Sequence, residues 1–223
     1  GYNNIGAALD FDNGSGDVFS EAHSNKLEAF VGSLMLDFRD TYFLSTTIRH
    51  DGSSRLGSNY KRGTFPGASA AVILSNLIDV RGLDMLKVRT GYGISGNQPE
   101  QPYASVGRWG VVNLTYQDGL YKPAYGLIQS ANPDLRWEEK KEFNFGVDVS
   151  LVGSRLSASY NYFANTVGGL ILNVSDYPNV PSKWANIIDM KGRGFELDLT
   201  YVAKDSPGLF WTTGFNISRA RTE

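Results

Sequence analysis

The 223-residue chain carries 21 basic and 23 acidic side chains, which give a formal net charge of -2 at pH 7. This balance argues against a nucleic-acid partner, because domains that bind phosphate backbones are usually basic. The absence of cysteine excludes a disulfide scaffold and a cysteine-bound zinc site. The 25 glycines and the 13% aromatic content favour strands and turns over helices.

Residues 1–25 predict a loop, because glycine, asparagine, aspartate and serine dominate them. Their acidic side chains match part of the spacing of a calcium-binding EF-hand loop. The candidate ligands are Asp10, Asp12, Asp17 and Glu21. The turn glycine, Gly14, comes one position too early for that pattern, so a solvated acidic loop is the simpler interpretation. A melting temperature that calcium leaves unchanged would exclude the site.

Residues 27–96 predict four antiparallel strands. Apolar and polar side chains alternate with the two-residue period of a strand that has two different faces. The first two strands are joined by a minimal turn at Arg39 and Asp40. In the fourth strand, Leu86 and Val88 alternate with Lys87 and Arg89, so that one face is apolar and the other is charged.

Residues 97–141 form the longest irregular stretch of the prediction, rich in proline and aromatic residues. Long loops within compact domains are usually functional, so we predict a functional loop here, which is extracellular if the strands form an outer-membrane barrel. Residues 142–166 predict a hairpin, and residues 167–191 predict a second extracellular loop with room for a short strand. Residues 194–219 predict a last hairpin, which makes about eight strands in all.

Two regularities favour a transmembrane β-barrel over a soluble β-sandwich. Short and long connections alternate along the chain, which is the layout of outer-membrane barrels. Aromatic residues gather near both ends of the strands, as in the girdles at two membrane interfaces. The face expected to point into the barrel carries charges that would be costly against lipid. These are Asp37, Arg49, Lys87, Arg89, Asp148, Glu196 and Asp198.

Five segments in order resemble landmarks of SusC/RagA-type TonB-dependent transporters. They are residues 49–57 (RHDGSSRLG), 65–66 (FP), 86–98 (LKVRTGYGISGNQ), 132–138 (NPDLRWE) and 192–196 (GRGFE). The resemblance implies an all-β, antiparallel barrel segment, about eight strands of a larger barrel of the 22-stranded type. The plug domain, the segment that contacts TonB and the C-terminal strands are not recognisable in this chain.

The same resemblance implies import of glycans or peptides through the outer membrane of a Gram-negative, Bacteroidetes-like cell. It further implies a SusD-like surface lipoprotein as partner, outer-membrane lipid around the barrel, and a TonB complex reached through parts outside this chain. No cofactor is implied.

Aromatic residues of the two long loops are the candidates for binding substrate or partner. They are Trp109, Tyr116, Tyr121, Tyr125 and Trp184. Aromatic faces beside polar groups suit sugar rings or peptide side chains. An equally simple interpretation is that these side chains pack the loops against each other or against a partner protein.

The sequence predicts no catalytic site. Residues 91–96 match G-x-G-x-x-G, but the helix that would hold a dinucleotide pyrophosphate does not follow. His50, Asp51 and Ser53 are close in sequence without the context of a nucleophile elbow. Two non-enzymatic alternatives stay open, namely a complete eight-stranded barrel with a structural or adhesive role and a soluble carbohydrate-binding β-sandwich.

Overall fold

The computed structural model describes residues 23–175 and 181–223, and these form ten strands and one three-residue 3-10 helix at Leu74–Asn76. The first five strands are β1 (Leu27–Phe38), β2 (Tyr42–Ser53), β3 (Arg62–Ile73), β4 (Leu83–Asn97) and β5 (Arg108–Gln117). The others are β6 (Leu120–Gln129), β7 (Glu138–Leu151), β8 (Leu156–Val174), β9 (Lys183–Ser206) and β10 (Leu209–Thr222). Among the described residues, no helix is long and apolar enough to cross a membrane.

Eight of the strands form one antiparallel sheet in the order β1-β2-β3-β4-β7-β8-β9-β10, and β5 pairs only with β6. The all-β antiparallel prediction is therefore confirmed. The sheet is open, because β1 and β10 lie at its two edges and do not pair with each other. This arrangement contradicts the alternative of a closed eight-stranded barrel.

Three of the four connections at one end of the sheet are short turns, and the fourth, β3–β4, spans nine residues, 74–82. The β1–β2 turn consists of three residues, Arg39, Asp40 and Thr41. Arg39 and Asp40 have φ angles of 58° and 48°, which match the right-handed twist of a hairpin. The β7–β8 turn and the β9–β10 turn lie at the same end. The connections β2–β3, β4–β7 and β8–β9 lie at the other end, which we call the mouth of the sheet.

The strand pairing places apolar and polar side chains on opposite faces of the sheet. One row of paired residues, from Asp37 through Phe43, Ala71, Arg89, Gly146, Asn161 and Glu196 to Ser218, lies on the polar face. The opposite, apolar face is open to its surroundings, and Phe30 and Leu36 on this face are 68% and 51% exposed. A soluble β-sandwich would bury this face under a second sheet, so the structure contradicts that alternative.

Charged side chains begin on the apolar face along a line that crosses the strands obliquely. Towards the mouth, the first charge is Glu28 on β1, Lys141 on β7, Arg193 on β9 and Arg219 on β10. The row of paired residues that starts at Arg219 on β10 crosses seven strand spacings and reaches Leu36 on β1. The first charge on β1, Glu28, lies eight residues from Leu36 towards the mouth. With about 3.3 Å per residue and about 4.8 Å per spacing, the line is inclined by about 38°. A level membrane surface would cut the tilted strands of a barrel, roughly 35–45° from the axis, along such a line.

The structure corrects the prediction for both long loops. Residues 97–141 are not irregular, because they contain the β5–β6 hairpin and the first residues of β7. Asp118 and Gly119, with φ angles of 54° and 80°, form the two-residue turn of that hairpin. Most of residues 167–191 is also strand, because β8 and β9 continue pairing as far as Val174 and Lys183. The two strands project past the rest of the sheet.

Candidate functional site

A small buried cluster at the mouth holds the connections of the sheet together. Its buried members are Leu56, Phe65, Ala104, Leu135 and Trp137, and Ile94, Ile171 and Trp184 pack against it. These side chains come from three separate connections and from the strands beneath them. We call this group the mouth cluster. Three of the sequence landmarks, residues 49–57, 65–66 and 132–138, supply four of its five buried members.

Glycines allow this cluster to pack closely. A Cβ at Gly96 would overlap the ring of Phe65, and a Cβ at Gly63 would lie 2.9 Å from Cδ1 of Trp137. A Cβ at Gly57 would overlap the carbonyl group of Pro133. The Gly57 amide donates to the carbonyl oxygen of Leu135 at 2.8 Å, which joins the β2–β3 connection to the segment before β7. Gly57 and Gly96, which belong to the landmarks, and Gly63 therefore have a packing role at the mouth.

Hydrogen bonds fix the base of the β5–β6 hairpin to this cluster. The Gln129 side-chain amide donates to the carbonyl oxygens of Tyr103, Ala104 and Val106 at 3.0, 3.2 and 2.8 Å. The Asn132 side-chain amide donates to the carbonyl oxygen of Trp184 at 2.7 Å. The hairpin consequently projects from the mouth on a base that is bonded to both neighbouring connections.

One face of the hairpin is apolar along its whole length. The register places on this face Trp109, Val111, Leu114 and Tyr116 of β5 and Tyr121, Pro123, Tyr125 and Leu127 of β6. The rings of Tyr116 and Tyr121 are 5.2 Å apart between centroids. The opposite face is mixed, with the polar residues Asn113, Thr115, Gln117 and Lys122 beside the apolar residues Val112, Leu120, Ala124 and Ile128. We call the apolar side the aromatic face.

The aromatic face is open in this structure. Trp109, Tyr121 and Tyr125 are 73%, 72% and 69% exposed. Aromatic residues that are this exposed and aligned on one face are typical of a surface that another molecule covers. The structure thus brings four of the five candidate aromatics together on one surface.

Trp184 lies apart from the aromatic face. It is in β9, half-buried, and its ring packs against the mouth cluster. Its environment favours a packing role over contact with substrate or partner.

Charged side chains on the polar face of the sheet form a second constellation. The Arg89 guanidinium donates from Nε to Oδ2 of Asp148 at 2.9 Å and from a second nitrogen to the Asn161 side-chain oxygen. Ser159 donates to the other carboxylate oxygen of Asp148 at 2.7 Å. Arg89 crosses Gly146 to make these contacts, and a Cβ there would lie 2.6 Å from its Cζ. The predicted inward charges do share one face.

The polar face also contains a trough of about 600 Å³, whose lining includes Phe43, Ser69, Lys87 and Arg89. Lys87 lies 5.6 Å from the ring centroid of Phe43. A charged, hydrogen-bonding wall of this kind suits the water-filled side of a barrel.

The remaining sequence candidates do not converge on a site. His50 is on the apolar face, whereas Asp51 and Ser53 are on the polar face, so the three side chains do not form a catalytic arrangement. The candidate calcium ligands, Asp10, Asp12, Asp17 and Glu21, lie outside the described residues. Within residues 23–175 and 181–223, no group of acidic or histidine side chains is arranged to hold a metal ion.

The sequence contained a signal for the β5–β6 hairpin, although the many aromatic and proline residues there favoured the prediction of an irregular loop. Asp118-Gly119 is a favoured two-residue hairpin turn, and apolar residues alternate at Tyr121, Pro123 and Tyr125. Four further residues complete the aromatic face and were not among the candidates, namely Val111, Leu114, Pro123 and Leu127.

Curated relatives match nearly all of the chain. It is 29% identical over 215 residues to the TonB-dependent receptor P39 of Formosa agariphila. This alignment covers 92% of this chain and 20% of that protein. It is 27% identical over 209 residues to the TonB-dependent receptor SusC of Bacteroides thetaiotaomicron. This alignment covers 88% of this chain and 20% of that protein. The chain thus spans about one fifth of the length of these relatives.

Solved structures share the fold. The "closed-closed" state of the RagAB peptide importer superposes with a TM-score of 0.78 at 24% identity, over 88% of this chain and 22% of that chain. The siderophore receptor PirA of Pseudomonas aeruginosa superposes with a TM-score of 0.57 at 16% identity, over 88% of this chain and 34% of that chain.

The sequence resemblance is confirmed by the family assignment. The family described as "TonB dependent receptor-like, beta-barrel" matches residues 1–222. The strand order, the two-faced sheet and the long connections at one end agree with a barrel wall of this kind. The chain therefore belongs to the TonB-dependent receptor β-barrel family.

Proposed function

We propose that the protein to which this chain belongs imports glycans or peptides across the outer membrane without chemistry on them. The eight-stranded sheet would form part of the wall of a larger barrel of the 22-stranded type, and strands outside this sheet would pair with β1 and β10. Its polar face, with the Arg89–Asp148–Asn161 network, would line the passage. The open edges of the sheet support this proposal, as does its similarity to SusC and to the RagAB peptide importer.

The aromatic face is the observation that carries a more specific proposal. It would be the contact surface for a SusD-like surface lipoprotein at the mouth of the barrel. Eight neighbouring positions are apolar, and the polar groups among their side chains are the tyrosine hydroxyls and the indole N–H of Trp109. Protein interfaces concentrate tyrosine and tryptophan in this manner, whereas a glycan site places hydrogen-bonding groups beside its aromatic rings.

A complete importer would need two further components. The family resemblance indicates coupling to a TonB complex in the periplasm through parts outside this chain. A Bacteroidetes-like Gram-negative cell is the host that the Formosa and Bacteroides relatives favour.

Co-purification with the lipoprotein tests the proposal. In the intact protein, the variant Trp109→Ser/Tyr121→Ser/Tyr125→Ser should weaken lipoprotein binding at least tenfold, because it removes three central aromatic contacts. The matched control, Asn113→Ser/Thr115→Ser/Lys122→Ser, changes the opposite face and should bind normally. Uptake of labelled peptide or oligosaccharide is measured in parallel. Retained lipoprotein binding with lost uptake would contradict the partner assignment and favour a substrate site.

A further inference from the structure

Four cationic side chains cluster on the apolar face of the sheet at its mouth end. They are Lys191 and Arg193 of β9 and Arg219 and Arg221 of β10. The register pairs Arg193 with Arg221 and Phe195 with Arg219. Below them on the same face are Leu197 and its partner Ile217. We call these four residues the outer basic patch.

Few neighbouring anions compensate this charge. Glu223 pairs with Arg221, with Nε and Oε1 2.7 Å apart. Over residues 23–175 and 181–223, the structure shows no ion pair for Lys191, Arg193 or Arg219. Of the nearby carboxylates on this face, Glu139 pairs with Lys141 at 3.7 Å, and Asp189 accepts a hydrogen bond from the Gly169 amide at 2.8 Å. The four cations thus face fewer carboxylates than their own number. The patch therefore has an excess of positive charge.

The position of the patch is at the edge of the lipid-facing band. Arg193 and Arg219 lie on the oblique line where charges begin, directly above Phe195 and Ile217. A shallow cleft of about 340 Å³ is lined by Tyr162, Thr166, Arg193 and Arg221, among others. Cations at this level face lipid headgroups, while the substrate passage is on the opposite side of the wall.

We propose that the outer basic patch binds the phosphate headgroup of an anionic lipid in the outer leaflet. Guanidinium groups bind phosphate oxygens through paired, charge-assisted hydrogen bonds. The acyl chains of the same lipid would lie along Phe195, Leu197 and Ile217. Charge complementarity and the depth of the patch select a lipid over a soluble partner, because Tyr162 and Phe195 place its lower rim against hydrocarbon.

Lipid binding by the intact protein tests this assignment. The purified protein is placed in nanodiscs that contain phosphatidylcholine with a small fraction of phosphatidylglycerol as the probe, and the bound lipid is quantified by native mass spectrometry. The variant Lys191→Gln/Arg193→Gln/Arg219→Gln should lower the preference for phosphatidylglycerol by about a hundredfold, because each surface cation contributes about fivefold. The matched control, Lys61→Gln/Arg108→Gln/Lys122→Gln, removes the same charge from the mouth and should keep the preference.

Other results would overturn the proposal. One is an equal preference for the two lipids in the unaltered protein, and another is an unchanged preference in the patch variant. A third is loss of the preference in the control variant as well, which would indicate a general charge effect. If inorganic phosphate binds the patch and the protein shows no preference between the two lipids, the patch is a site for a soluble anion. Melting temperatures of both variants establish that the barrel is folded, so that lost binding reports on the patch.

Discussion

The indole ring of Trp137 meets the phenyl ring of Phe65 edge-on, with centroids 5.4 Å apart and planes at 74°. Both side chains are at least nine-tenths buried, in a sheet whose other large apolar residues are mostly exposed. Edge-to-face aromatic pairs add stability beyond their buried area. This pair is therefore the centre of the mouth cluster, and it ties β3 to the segment that enters β7.

Removal of this indole should destabilise the protein. We expect Trp137→Ala to lower the free energy of unfolding of the intact protein in detergent by about 3–5 kcal/mol, because it leaves a cavity against Phe65. Urea unfolding followed by tryptophan fluorescence measures the change. The control is Trp109→Ala, which removes an exposed ring and should cost less than about 0.5 kcal/mol. Equal losses in the two variants would show that the mouth cluster carries no special stability.

A methyl group at Gly57 should detach the β2–β3 connection from the segment before β7. Its Cβ would overlap the carbonyl group of Pro133, so the hydrogen bond between Gly57 and Leu135 cannot persist. We expect Gly57→Ala to make residues 130–137 several times more sensitive to limited proteolysis. Gly107→Ala is the control, because its nearest neighbours would be 3.7 Å from the new carbon. Unchanged cleavage in Gly57→Ala would contradict the close packing.

The ion pair on the polar face should contribute modestly to stability. Arg89 and Asp148 are partly exposed, so a double-mutant cycle with Arg89→Met and Asp148→Asn should give a coupling of about 1 kcal/mol, near the upper limit for exposed pairs. The extra contacts to Asn161 and Ser159 favour this upper value. The exposed pair of Lys122 and Asp118 should give less than about 0.5 kcal/mol in the same assay. The reverse order of couplings would exclude a cooperative network.

The two tryptophans proposed at the sequence level should behave differently. We expect Trp184→Ala to lower the free energy of unfolding by about 2 kcal/mol, because its half-buried ring packs against the mouth cluster. Its lipoprotein binding should equal that of the unaltered protein. Trp109→Ala should show the opposite behaviour, with normal stability and weaker lipoprotein binding. Surface plasmon resonance measures lipoprotein binding and urea unfolding measures stability on the same samples. If only Trp184→Ala weakened lipoprotein binding, Trp184 and not Trp109 would contact the lipoprotein.

The sequence was sufficient for the sheet because strand alternation is a local property. The period of two in residues 27–38 and the turn at Arg39 and Asp40 set the limits of β1 and the start of β2 without knowledge of any neighbour. It failed in residues 97–141, where a bulge between Val111 and Asn113 interrupts the alternation of β5. The prolines there also suggested loop, yet in the described part of the chain Pro123 is accommodated in a strand that forms a ladder with β5 alone.

By itself, the sequence determined the all-β class, the two faces of the wall, the end at which the long connections lie and the family. These follow from local periodicity, turn chemistry and ordered landmarks, each of which is readable along the chain. Only the tertiary structure decided that Trp109, Tyr116, Tyr121 and Tyr125 share one surface while Trp184 packs elsewhere. It also brought Arg193 and Arg221 together above the lipid-facing band. Such neighbours depend on the register between strands, which long-range hydrogen bonding sets and no single segment of sequence contains.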